Sequence, residues 1–280
     1  MKWQKFMNIL DLTESYISEI FKAKDLRSYE RSYPALFSHY FKYWAKRKYF
    51  SNHLSKNEVK KRKLLVIEAL KDLEKRLISA RFEMRNMDVV LFVGQGTTIG
   101  HAFKDGNKFI VWLPLEGYKT KLQAKIFITH EIIHALHYSH SPDFYFNNIA
   151  EKRSVIRQLI TEGMATYLSM KVLKEDEGVA LWADYLTKSK LKIWLQECRQ
   201  KEQQLYKLVL KNFSSSNPKI GLFYANDPTD IVNYRAGYYV GLRLVEAVAK
   251  EGSLDNQGLI NIPRSNFENI AKKWLQKKPS

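Results

Sequence analysis

Apolar positions along the chain change their rhythm, and the rhythm predicts the elements. In "VIEALKDLEKRLISARF" Val66, Leu70, Leu73 and Leu77 recur at three and four residues, which is one face of a helix. The aromatic-rich "YPALFSHYFKYWAKRKYF" before it reads as a second packed helix, so residues 1–88 are expected to form a helical amino-terminal region. Shorter β-branched and apolar runs follow, "DVVLFVG" and "FIVWLPLE", separated by "QGTTIGHAFKDGNK" with the turn signal Asp105-Gly106-Asn107. They predict a small sheet.

Helical spacing returns in "GYKTKLQAKIFITHEIIHALHY", where Thr120 and, three residues on, Gln123 stand as a capping box ahead of an apolar run. "SHSPDFYFNN" is a loop, "SVIRQLITEGMATYLSMKVLK" a further helix, and the chain from about 178 is mostly helical between the polar loops "NFSSSNPKIGLFYANDPTD" and "EGSLDNQGLINIP". This order predicts an α+β fold, mostly helical, with a small sheet packed against a central helix pair. Three regions are expected: helical 1–88, a core of sheet and helix pair over 89–175, and helical 176–280 completing a cleft.

Composition narrows the class. With 280 residues, 45% of them hydrophobic and 13% aromatic, the chain carries far more core material than a disordered one. The single cysteine, Cys198, excludes internal disulfides and cysteine-based zinc sites and reads as buried filler. "MKWQKFMNILDLTESYISEI" is interrupted by Asp11, Glu14 and Glu19, so no secretory signal is read in it, and no run approaches the ~18 apolar residues of a membrane span. A cytoplasmic protein is the expectation, although secretion that reads no such signal is compatible with the same residues. The net charge of +17 raises nucleic acid as a partner. The lysines are dispersed, however, and the dense run "KKRK" at Lys60–Lys63 leads into a helix, where a solvated face accounts for it.

Candidate chemistry is concentrated in "ITHEIIHALHYSH", which holds His130, His134, His137 and His140 out of seven histidines in the chain. His130-Glu131-Ile132-Ile133-His134 matches H-E-x-x-H. On a helix, positions i and i+4 share a face, so two imidazoles can bind one Zn²⁺ at about 2.0–2.1 Å, with Glu131 to the side, near a ligand position left to water. Ile126, Ile132, Ile133 and Leu136 make this helix apolar nearly all round and therefore buried. Buried imidazoles need partners, and a metal supplies them. Two residues compete as third ligand. His140 has the spacing of the long metzincin motif H-E-x-x-H-x-x-G-x-x-H, but His137 stands where that motif needs glycine for a sharp turn. Glu162, on the following helix, would complete a His, His, Glu set with one position open.

"HEIIHAL" followed by "EGMATYL" resembles the gluzincin metallopeptidases, which carry H-E-x-x-H on one helix and a glutamate on the next. In their aminopeptidase branch that glutamate opens E-G-x-x-x-Y, matched here by Glu162, Gly163 and Tyr167. The likeness spans roughly residues 88 to 175, with a weaker echo near 234 to 245. It implies one Zn²⁺ per chain on His130, His134 and Glu162, and hydrolysis of peptide or protein substrates by a zinc-activated water with Glu131 as general base. It also implies a downstream tyrosine donating to the oxyanion. "IVNYRAGYYVGLRLVEAV" offers Tyr234, Tyr238 and Tyr239, of which Tyr238 is chosen; Tyr234 and Tyr238 are read on one helix face with Gly241, whose lack of a side chain permits close approach to a neighbouring helix. Thr166, one turn after Glu162, is positioned to support it, and "FIVWLP" to receive an extended peptide by edge addition. G-x-M-E-N, the exopeptidase motif, is absent, so amino-terminal specificity is not implied. Two other readings are a catalytically silent gluzincin-like interaction module and a basic nucleic-acid-binding protein.

Overall fold

Four strands form one mixed sheet in the order β1-β2-β4-β3: β1 is Met7–Asp11, β2 Met87–Phe92, β3 His101–Asp105 and β4 Lys108–Pro114. The structure is a computed structural model that describes residues 7–51, 54–83, 87–217 and 219–277; the first six residues of the stretch read for a targeting signal lie outside them. β2 runs parallel to both β1 and β4, while β3 and β4 form an antiparallel hairpin. Central strands of parallel pairing are buried on both faces, which is why β2 and β4 read as continuous apolar runs. The hairpin turns at Gly106-Asn107, where Gly106 takes φ +58, the left-handed value such a two-residue loop needs.

The chain divides into two units, Met1–Ser79 with Glu83–Leu136, and Ala80–Phe82 with His137–Ser280. Helices of ten or more residues are labelled in chain order. The first unit holds the sheet, α1 (Pro34–Tyr43), α2 (Lys56–Ser79) and most of α3 (Lys121–His140), a continuous helix in which the division falls. α2 buries Val66, Leu70, Leu73 and Leu77, the stripe its spacing predicts. α1 sets Phe37 and Tyr40 edge-on against Phe92 and Trp112 of the sheet, with ring centroids 5.9 Å apart for Phe37 and Phe92 and 5.5 Å for Tyr40 and Trp112. Within "KKRK", Lys60 and Lys61 are exposed, Arg62 donates to the Glu116 carbonyl at 3.0 Å, and Lys63 pairs with Asp11.

The second unit is helical: α4 (Val155–Leu173), α5 (Lys188–Gln200), α6 (Glu202–Lys211), α7 (Ala236–Glu251) and α8 (Arg264–Lys277). Here α4 and α7 meet backbone to backbone. A Cβ on Gly163 would lie 2.3 Å from the Gly241 carbonyl oxygen, and one on Gly241 would lie 2.5 Å from that of Leu159. The close approach read from Gly241 is therefore made. Cys198 on α5 is fully buried, and burial pushes its thiol well above the ordinary value, as suits a packing residue.

An α+β fold, mostly helical with a small sheet against helices, is thus what the chain adopts. Two local readings change. Met7–Asp11, read with the helical amino-terminal residues, is a strand: five residues carry little periodicity of their own, and β1 is fixed by pairing with β2 some eighty positions away. "FIVWLP" cannot add a peptide at an edge, because β4 is paired on both sides; the edges of the sheet are β1 and β3.

Candidate metal centre

α3 begins where the capping signal puts it. The Thr120 hydroxyl accepts from the Gln123 backbone N–H at 3.1 Å, and the Gln123 side chain accepts in return from the N–H of Lys119 at 3.0 Å, one residue further back than the usual box. From Ile126 to Tyr138, all described, every residue but Glu131 is buried. His130 and His134 are 6% and 5% exposed, and their Nε2 atoms lie 3.1 Å apart. Two nitrogens about 2.05 Å from one tetrahedral ion would be separated by about 3.3 Å, so the pair is spaced for a shared metal.

α4 carries Glu162 on a stretch that is otherwise almost wholly buried. His130, His134 and Glu162 each offer one ligand atom, and these atoms all lie within 4.8 Å of one another. Two imidazoles and a carboxylate are the donor set of a zinc site with one position left open. The residues present fit such an ion. His140, the rival third ligand, is not in this group; its Nδ1 lies 3.4 Å from the Gln257 amide nitrogen. His137 is fully buried with its ring 4.5 Å from that of Phe144. No turn bends the chain at 137, because without glycine α3 runs on to His140.

Glu131 packs against a loop. A Cβ built on Gly100, just before β3, would lie 2.6 Å from Glu131 Cγ and 3.2 Å from its Cδ. Nothing in the spacing of the sequence announces this contact, which joins residues thirty-one positions apart through the hairpin's placement.

The three candidate tyrosines separate. Tyr238, in the first turn of α7, is half-buried, with the Arg235 guanidinium 4.1 Å from its ring centroid and Phe223 at 6.0 Å. Tyr234 does not share its helix face: it precedes α7, Arg235 between them takes φ +63, and its ring packs 4.8 Å from Trp182. Tyr239 is buried and donates to Glu202 at 2.9 Å, and burial holds its phenol up at about 12. Thr166 is buried one turn after Glu162.

Among the described residues no helix is long and apolar enough to cross a membrane. No curated protein and no solved structure gives a significant match. A family model does match over residues 57–269, most of the chain, and its description is Predicted Zn-dependent protease (DUF2268).

Proposed function

Because the chain belongs to this family of predicted zinc-dependent proteases, we propose that it is a peptidase in which His130, His134 and Glu162 hold one Zn²⁺ and Glu131 is the general base. The observation that carries the reading is the approach of the three ligand atoms to within 4.8 Å of one another. Zinc held there supplies Lewis acidity, polarising a carbonyl and lowering the pKa of water to about 7.

The chain's own residues do the rest. Glu131 accepts the proton of the attacking water and returns it to the leaving amine nitrogen, so one carboxylate serves both halves of the hydrolysis. Tyr238 is the donor read for the oxyanion, since its side chain keeps partial exposure while Tyr239 is committed to Glu202. An extended substrate pairs with the outer edge of β3, which begins at His101 directly after the glycine that touches Glu131. Strand addition there grips peptide backbone and asks little of side chains.

Elemental analysis and peptide cleavage test this together. We expect about one zinc per chain, lost on dialysis from Glu162→Ala and kept by His140→Ala. Glu131→Gln should keep zinc while cleavage falls by roughly 10²–10⁴-fold. A zinc-loaded Glu131→Gln protein as active as the wild type would refute the assignment.

A further inference from the structure

We propose that Gly100 is a positioning residue for Glu131: the absence of a side chain at 100 sets where the general base stands. The inference rests on the peptidase reading above for its effect on catalysis, but its geometry stands alone. Gly100 does not take a left-handed φ, since Gly96 and Gly106 are the glycines that do, so its backbone conformation would accept alanine. Space is what excludes one. The added Cβ would stand 2.6 Å from Glu131 Cγ, 3.2 Å from Cδ and 3.3 Å from the Trp112 carbonyl oxygen. Cγ is the middle of the side chain rather than its free end, so the clash is relieved only by swinging the carboxylate to another rotamer or by moving the loop.

The loop is held. The Thr98 hydroxyl donates to the Gly100 carbonyl at 2.7 Å and accepts from the Gly100 N–H at 3.3 Å, closing a local turn. The fully buried Tyr118 donates its hydroxyl to the Ile99 carbonyl at 2.5 Å. Gly117 brings its own backbone up to Ile99, where a Cβ would lie 3.1 Å from Ile99 Cα. With residues 98–100 pinned from two sides, the more yielding partner is the Glu131 side chain. Gly100 is therefore a wall against which the carboxylate is packed, at the point where the edge strand begins.

The test is a double-mutant cycle on the full chain with Gly100→Ala, Glu131→Ala and the pair, read by thermal unfolding, with zinc content and steady-state cleavage measured on Gly100→Ala. Gly100→Ala should lower Tm by about 3–8 °C in the wild-type background, and by less than about half of that when residue 131 is alanine, because the clashing Cγ is gone. Zinc should stay bound, kcat should fall about 10–100-fold as the carboxylate is displaced, and KM should change by no more than about twofold. If Gly100→Ala does not fold alone, recovery of the folded state by the added Glu131→Ala carries the same meaning. An equal Tm loss in both backgrounds, failure of both to fold, or unchanged kcat would overturn the proposal; an equal Tm loss would point instead to the Trp112 carbonyl, the other neighbour of the added carbon. Should the wild type cleave no peptide, the peptidase reading fails while the cycle in Tm still decides the contact.

Discussion

Gly163→Ala is the perturbation with the best-defined outcome. In an exposed helix the exchange would stabilise, since alanine exceeds glycine by about 0.8–1.0 kcal/mol in helix propensity. Here the new methyl carbon would lie 2.3 Å from the Gly241 carbonyl oxygen, 2.4 Å from its carbonyl carbon and 2.7 Å from its Cα, where ordinary contact begins near 3.4 Å. The obstacle is backbone, so no rotamer change relieves it and α4 and α7 must part by about 1 Å. Overpacking of this kind costs about 1–3 kcal/mol, and a backbone obstacle belongs at the upper end. Setting about 3 kcal/mol against about 1 leaves a net loss near 2 kcal/mol, or roughly 3–4 °C in Tm for a chain of 280 residues. Scanning calorimetry of the zinc-free protein measures it directly. Because Gly163 adjoins Glu162, a chelator competition should also report zinc affinity lower by about tenfold. A Tm that is unchanged or raised would mean that propensity wins and that the glycine contact does not hold these helices.

Other substitutions probe separate contacts. Gly106→Ala, at φ +58 with nothing within 4 Å of the added carbon, should cost only the strain of a left-handed alanine, about 1–2 kcal/mol by urea unfolding, and a larger loss would contradict the open site. The Glu116 carboxylate accepts from the Gly94 N–H at 3.0 Å and the Gly96 N–H at 2.9 Å, so Glu116→Ala should lower stability by about 3 kcal/mol; a loss under about 0.5 kcal/mol would show that water replaces it. Asp11 is raised by burial but brought below its ordinary value of 3.8 by its bonds to Lys63 and Thr13. The stability it contributes is present above 3.8 and lost as pH falls through the lower folded value, so the Tm difference between wild type and Lys63→Met should shrink on acidification below that range. A difference that widens in acid would reverse the sign of this account.

The legibility of the site in the chain follows from range. His130 and His134 were readable because a helix turns four positions into one face, and Thr120 and Gln123 mark where that helix begins; both are local rules of backbone geometry. The α2 stripe and the turn at Gly106-Asn107 were readable for the same reason, whereas the pairing of β3 with β4 was not read. Glu162 was favoured over His140 as third ligand because the glycine needed for a sharp turn is missing at 137, and it is Glu162, not His140, that the fold groups with the histidine pair.

What the sequence by itself determined was thus the α+β class, the zinc-spaced histidine pair with its adjacent carboxylate, and the close-approach glycine at 241. Tertiary structure alone decided that Met7–Asp11 is a strand, that "FIVWLP" lies inside the sheet rather than at its edge, that Tyr234 leaves the helix of Tyr238, and that Gly100 abuts Glu131. Each of these depends on which distant segment arrives as neighbour. Periodicity encodes which side of an element seeks burial, but not the partner that covers it.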